Sequence, residues 1–344
     1  MRAIVQTGPE SVESQERDER VPTDNEVLVR VHTAGICGSD AHAYTYKGGY
    51  EWIPIPRIMG HEYSGTVVEV GENVKEFTPG DKVIEEPIHN CGSCFQCKNG
   101  QPNVCQNFSI TGIHRDGAYA EYTVVRPQRL HAVPEGVPLK HAAIAEPTSI
   151  ATRAVFTRST VTPGDNVLVE GPGPIGALCA SIADSMGADV MVSGLEKDAV
   201  ARLPLLASFG IETVNVHSDE LDDVRDGFTA GRDFDVVFDT TGHRSGVEMA
   251  VENVRKGGQV VTVGLPGEPS EIFMTPVVRG EIDLNTSYGS TWTNFEQALQ
   301  LMKNQTIDPE VLIDTSYSTA NPTAAFVAFL DAQTLKPVFT FDQG

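Results

Sequence analysis

One stretch limits the possible folds more than any other: NVLVEGPGPIGALCASIADSMGADVMVSG, residues 166–194. It reads as an apolar strand, a glycine-rich turn, an amphipathic helix and a second apolar strand. Further on, DFDVVFDTTG and GGQVVTVGLPG supply two more runs of the buried-strand type, with polar or helical material between them. Strands alternating with helices in this way predict a parallel, doubly wound sheet, so this part of the chain is α/β.

The turn itself carries chemistry. Gly171, Gly173 and Gly176 have G-x-G-x-x-G spacing, with Pro174 and Ile175 between the last two, directly after a strand and at the opening of a helix. The first glycine permits a tight turn, the second lets the backbone approach a pyrophosphate, and the third lets helix and strand pack closely. The helix N-terminus then offers free N–H groups to phosphate. A tight turn with no ligand has the same spelling, but its place between strand and helix favours a dinucleotide site. The next strand, DVMVSG, ends on Ser193 and Gly194, where an NAD-binding chain would carry an acid for the adenine ribose. Glu196 follows, then Lys197 and Arg202. The missing carboxylate removes repulsion against a 2′-phosphate, which Lys197 or Arg202 would pair with, while Glu196 would reach the ribose hydroxyls. These residues also fit a solvated loop face. NAD and NADP both stay open, with the lean toward NADP.

Before about residue 150 the chain changes character. EVLVRVHTAG, SGTVVEVG, FTPGDKVI and GAYAEYTVV are short alternating runs broken by glycine and proline, which predict a β-rich, barrel-like domain. After about residue 290 come a helical stretch, NFEQALQLMKNQ, and an extended KPVFTF that returns to the first domain. The expected division is 1–150 with 290–344, and 151–289 for the dinucleotide domain.

CGSCFQCKNGQPNVC packs Cys91, Cys94, Cys97 and Cys105 into fifteen of the 344 residues. A chain of this length does not need disulfide staples, and the N-terminus has no apolar core of a leader and no stretch of membrane-spanning length. The expected compartment is therefore the reducing cytoplasm, where such a cluster binds metal. Four thiolates form a closed structural zinc shell. The net charge of −22 repels nucleic acid phosphate and excludes a DNA-binding finger. It also suits a salt-loving source, in which high ionic strength screens the self-repulsion of surface carboxylates.

GICGSDAHAY and MGHEYSG bring Cys37 and His61, and AEPTSI brings Glu146, an acid inside an apolar run. Each alone also fits core packing or a helix start, but thiolate, imidazole and carboxylate together make a three-ligand site with an open position. Tyr46, Trp52 and Phe108 are candidates for lining a pocket near it.

GICGSD, GHE, the four-cysteine lobe, GAYAEY, the EP segment and GPGPIG occur in an order that resembles the zinc-dependent medium-chain alcohol and polyol dehydrogenases, closest to the sorbitol and threonine dehydrogenase branches. The resemblance implies a GroES-like catalytic domain beside a Rossmann domain. It implies one catalytic zinc on Cys37, His61 and Glu146, one structural zinc, and NAD or NADP as cofactor. Glu62 corresponds to the family's near-zinc glutamate, Asp40 to the acid that orients the histidine ligand, and Ser39 and His42 to its proton relay. The expected substrate is a small-molecule secondary alcohol, polyol or sugar. The alternatives are a threonine-type 3-hydroxy amino acid or a zinc-free quinone reductase of the same fold. The resemblance also implies a homodimer or homotetramer with no nucleic acid or membrane partner. Metal analysis of the purified protein should return about two zinc ions per chain, falling to about one in Cys97→Ser.

Overall fold

The computed structural model describes residues 1–218 and 221–341. They form two compact units, the first made of Met1–Ser149, Gly289–Leu330 and the residues from Lys336 onward, the second of Ile150–Tyr288 with Asp331–Leu335.

The first unit is built on Val27–Gly35. In this strand Val27, Val29 and Val31 are buried while Leu28, Arg30 and His32 are only partly so, the period-two pattern of a sheet with one covered face. It pairs antiparallel with Glu62–Val70 along most of its length, and with Tyr122–Val125 and Pro337–Thr340. The whole sheet runs Leu130–Ala132, Lys82–Glu85, Glu62–Val70, Val27–Gly35, Pro337–Thr340, Thr315–Ser318, with Tyr122–Val125 branching from the central strand. A second sheet joins Ser11–Glu16, Arg2–Gly8 and Arg57–Ile58. The short pair Ile88–His89 and Ser109–Ile110 brackets the four cysteines.

The second unit is a six-stranded sheet in the order Glu212–Asn215, Asp189–Gly194, Asn166–Glu170, Phe234–Asp239, Val254–Thr262, Asp283–Thr286. Every pair in it is parallel. Asn166–Glu170 is buried at every position, as a central strand covered on both faces must be. The two outermost strands carry no apolar run, because at an edge only one side needs covering, and sequence periodicity does not reveal them. Asp331–Leu335 lies outside the expected 151–289: Thr334 gives its carbonyl to Arg202 Nε at 3.1 Å, so this short piece belongs with the nucleotide unit.

Within the first unit, Gly60 is a point of close approach. Its φ is +91°, and a Cβ built there would lie 2.2 Å from the Tyr119 ring. Gly60→Ala combines an unfavourable backbone with overpacking, and should cost about 3 kcal/mol, measured by chemical denaturation.

Candidate active site

Cys37 caps the helix Gly38–Thr45, and the Asp40 side chain accepts the Cys37 N–H at 3.0 Å. The same Asp40 oxygen, Oδ2, accepts from the Tyr119 hydroxyl at 2.7 Å, while Oδ1 stands 3.6 Å from His61 Nδ1. The other His61 nitrogen, Nε2, faces Ser39 Oγ at 3.5 Å. Ligand atoms of Cys37, His61 and Glu62 all lie within 4.8 Å of one another. His61 and Glu62 are buried, and Asp40 is fully so.

The electrostatics of this cluster call for a cation. Burial opposes charge on His61, yet Asp40, Cys37 and Glu146 outweigh it and hold the imidazole well above its ordinary pKa. Burial pushes Glu146 up to about 7, against the pull of His61 and with a further push from Glu62. A thiol, an imidazole oriented by a buried carboxylate and further acids in one enclosed place fit a zinc site. Glu146 stands outside the three-residue group and beside it. The sequence expectation put Glu146 as third ligand and Glu62 as its neighbour, whereas in the fold Glu62 is the carboxylate gathered with Cys37 and His61.

The four-cysteine lobe gathers its sulfurs in the same way. Sulfur separations are 3.5 Å for Cys94–Cys97, 3.7 Å for Cys94–Cys105 and 3.5 Å for Cys91–Cys105. These are far too long for a disulfide and close to the roughly 3.8 Å edge of a tetrahedron with zinc–sulfur bonds of about 2.3 Å. Backbone N–H groups of Cys91, Cys94 and Asn107 point at sulfurs from 3.3 Å. Such bonds from Ser93 and Cys94 bring the Cys91 thiol down to about 5, favouring the thiolate.

In the second unit the three glycines differ in what surrounds them. Gly171 has φ +97°, the left-handed region. A Cβ on Gly176 would strike the Gly171 carbonyl at 2.0 Å, whereas a Cβ on Gly173 would meet nothing within 4 Å. Gly173 is therefore free of any packing demand and leaves open space beside the N-terminus of the helix Pro174–Ser185, which fits the pyrophosphate of a dinucleotide.

Two models match the chain, an alcohol dehydrogenase GroES-like domain over residues 23–135 and a zinc-binding dehydrogenase over 174–304. The sorbitol dehydrogenase of Halalkalibacterium halodurans is 32% identical over 99% of both chains. The L-threonine 3-dehydrogenase of Shewanella loihica is 30% identical over 92% of this chain and 93% of its own. Among solved structures, a short chain alcohol dehydrogenase from E. coli CFT073 complexed with NADH superposes with a TM-score of 0.89, 29% identity and 99% coverage of each. The chain belongs to the zinc-binding alcohol dehydrogenase family. It is an NAD(P)-dependent oxidoreductase with zinc as its metal.

Around the nucleotide turn, the dehydrogenase departs from the sequence expectation at two residues. Gly194 is enclosed: a Cβ there would lie 2.9 Å from Pro172 Cγ and 3.0 Å from Leu203 Cδ2, so packing alone accounts for the missing acid. Arg202 does not stand ready for a 2′-phosphate, because its buried guanidinium is bonded to Thr334 and to Asp198, the latter at 3.3 Å. Glu196 accepts from Asn215 Nδ2 at 2.8 Å, and Lys197 is exposed.

Two residues of the metal centre went unread in the sequence. Tyr119 is one, lost inside a run that reads simply as strand. The other is Lys336 at the head of KPVFTF, which is buried, ion-paired with Glu62 and donates to the Ile36 carbonyl at 2.9 Å. Gly35 makes room for this pair, since a Cβ there would meet Glu62 Oε2 at 2.7 Å and Lys336 Cε at 3.1 Å. A lysine next to an apolar strand was the available signal. Lys336→Met strands the Glu62 carboxylate and should cost the dehydrogenase about 3–5 kcal/mol, with much of the loss restored by adding Glu62→Gln; denaturant titration of the two variants checks this.

Proposed function

We propose that this dehydrogenase oxidises a secondary alcohol carbon of a polyol or sugar to the carbonyl, using NAD in preference to NADP. The arrangement of Cys37, His61 and buried carboxylates beside Ser39 carries the reading, supported by the sorbitol dehydrogenase relative. Zinc at such a centre supplies Lewis acidity to a substrate hydroxyl, and nicotinamide supplies the hydride acceptor.

The chain's own residues do the rest. Cys37 and His61 would hold the metal, with Glu146 as third ligand in its ionised form, because Glu62, though gathered with them, is engaged by Lys336. Asp40 keeps His61 Nε2 turned inward by facing Nδ1. Ser39 Oγ receives the substrate proton and His42, three residues on along the same helix face, takes it to the surface. Burial lowers the His42 pKa, so its imidazole is neutral and able to accept at neutral pH. Ser39 and His42 share the helix Gly38–Thr45 with the cap that holds Cys37, so relay and ligand keep a fixed spacing.

In the cofactor unit, Glu196 held by Asn215 accepts from the adenine ribose and opposes a 2′-phosphate. Arg202 is withdrawn from the phosphate, which leaves Lys197 as the opposing charge. Cysteines outside any disulfide among the described residues fit a reducing cytoplasm, and the charge of −22 fits activity at high salt. The family pattern supports a homodimer or homotetramer. The threonine dehydrogenase relative makes L-threonine the second substrate to test.

The reading requires turnover of sorbitol, xylitol or a similar polyol at a rate well above that of ethanol, and a panel in which L-threonine alone is oxidised would overturn it. His42→Gln should slow alcohol oxidation about tenfold or more at and below pH 7, with the deficit shrinking as pH rises and water takes the proton. For the cofactor, kcat/KM with NAD should exceed that with NADP in the wild type, and Glu196→Gln and Asn215→Ala should each narrow the gap about tenfold. NADH and NADPH binding followed by cofactor fluorescence should shift in parallel. A wild type that binds NADPH more tightly would remove the role given to Glu196.

A further inference from the structure

A buried acid with no part in the metal chemistry lies directly beneath the nucleotide turn. Glu170 ends the strand Asn166–Glu170, one residue before Gly171. In the register of the parallel sheet it stands beside Asp239, the last residue of Phe234–Asp239. Register neighbours on parallel strands send their side chains to the same face, and these two residues are only 1% and 2% exposed.

The two acids are held unequally. Asp239 Oδ1 accepts from the Thr241 N–H at 3.1 Å and from its hydroxyl at 2.8 Å, as an ionised carboxylate does. Glu170 Oε1 has one long bond, from Asn253 Nδ2 at 3.4 Å, and that amide also serves the Met249 carbonyl at 2.9 Å. Oε2 has no partner.

Among the described residues no cation faces Glu170. Asp239 is beside it, and the helix Gly246–Asn253 turns Glu252 and Asn253 toward it. The strand Asp189–Gly194 offers the neutral Ser193, and the helix Pro174–Ser185 has its single charge, Asp184, at the far end. Arg225 stops at Asn253 Oδ1, 3.5 Å away, and is engaged by Asp222, Asp226 and Asp233. Two buried carboxyls side by side without a cation do not both stay charged at neutral pH. Burial, then Asp239, push Glu170 well above the usual carboxylate range, with Asn253 opposing and Glu252 adding to the push. Burial raises Asp239 as well, but Thr241 and His243 oppose it, so the charge rests on Asp239 and the proton on Glu170.

The pair is joined to the turn. Thr240 gives its hydroxyl to the Glu170 carbonyl at 2.8 Å and to the Gly171 carbonyl at 2.9 Å, and its N–H to the Glu170 carbonyl at 3.0 Å. A charge on Glu170 would repel Asp239, splay the two strand ends that Thr240 ties together, and place negative potential under a site for an anion.

We propose that Glu170 is a positioning residue for the phosphates of the dinucleotide cofactor, working in its protonated form: neutral, it lets the turn close on the pyrophosphate, and ionised, it weakens the cofactor. By linkage, affinity falls as pH rises through the Glu170 titration, and cofactor binding draws a proton onto the acid. Stability has the same sign. The folded protein keeps a proton that the unfolded chain releases in the ordinary carboxylate range, so Glu170 costs stability progressively above about pH 4–5, and glutamine in its place does not.

The test is the dissociation constant of NADH, followed by its fluorescence from about pH 6 to pH 9, in the wild type and in Glu170→Gln. The wild type should weaken about tenfold or more across this range, the effect of a one-unit pKa difference between free and bound protein. Glu170→Gln should instead hold the wild type's acid-end affinity throughout. ADP-ribose should follow NADH, and adenosine, which has no phosphate, should show no such dependence. His243→Gln removes the titratable group facing Asp239 and should leave the wild-type dependence in place. The Tm gap between Glu170→Gln and the wild type should widen with pH. In the wild type itself, NADH binding within the transition should take up protons, read by calorimetry in buffers of differing ionisation enthalpy. A flat wild-type affinity, a dependence that survives in Glu170→Gln or is lost in His243→Gln, a Tm gap that does not widen, or binding without proton uptake each overturns the role.

Discussion

Asp40 is the charge on which the metal centre is assembled. A fully buried carboxylate is costly unless several donors meet it, and here it has the Cys37 N–H, the Tyr119 hydroxyl and the facing edge of His61. These contacts tie three separate pieces of chain together: the helix cap that carries the thiol, the GHE segment that carries His61, and the run leading into Tyr122–Val125 that carries Tyr119. The Tyr119 ring in turn dictates glycine at position 60, because no side chain fits between it and the backbone leading to His61. The placing of Cys37 and His61 thus follows from how one acid is held in the interior, with Oδ2 bonded and Oδ1 turned toward His61 without a hydrogen bond.

The opposite charge comes from far away in sequence. Lys336 reaches Glu62 through the strand Pro337–Thr340, which joins the central sheet beside Val27–Gly35. Without this strand the sheet would still pair along Glu62–Val70, but the Glu62 carboxylate would be left buried among other acids. The first unit is therefore discontinuous in sequence for an electrostatic reason as well as a packing one.

Much of this was legible in the sequence, and the exceptions have physical causes. The four cysteines and the glycine turn are written in local spacing, since each is made by residues that are neighbours along the chain. Central strands announce themselves by unbroken apolar runs, whereas the edge strands Glu212–Asn215 and Asp283–Thr286 do not, because one of their sides faces water. Tyr119 carries no local signal, and Lys336 only that of a lysine heading an apolar strand, as their partners lie tens to hundreds of residues away. Gly194 shows the reverse error: the absence of an acid looked like a statement about the cofactor, and the fold supplies a simpler reason in Pro172 and Leu203. Arg202 similarly reads as a surface cation until Asp198 and Thr334 are placed around it.

The separation between Ile36 and Lys336, 300 residues, has a bearing on how the protein matures. Synthesis proceeds from the N-terminus, so the thiol, imidazole and acid of the metal centre emerge long before their counter-ion, with the entire nucleotide-binding sheet made in between. During that interval Glu62 lacks the lysine that pairs with it in the finished fold. Closure of the central sheet by Pro337–Thr340 therefore waits for the end of the chain, and a loop closure of this length places it late in folding.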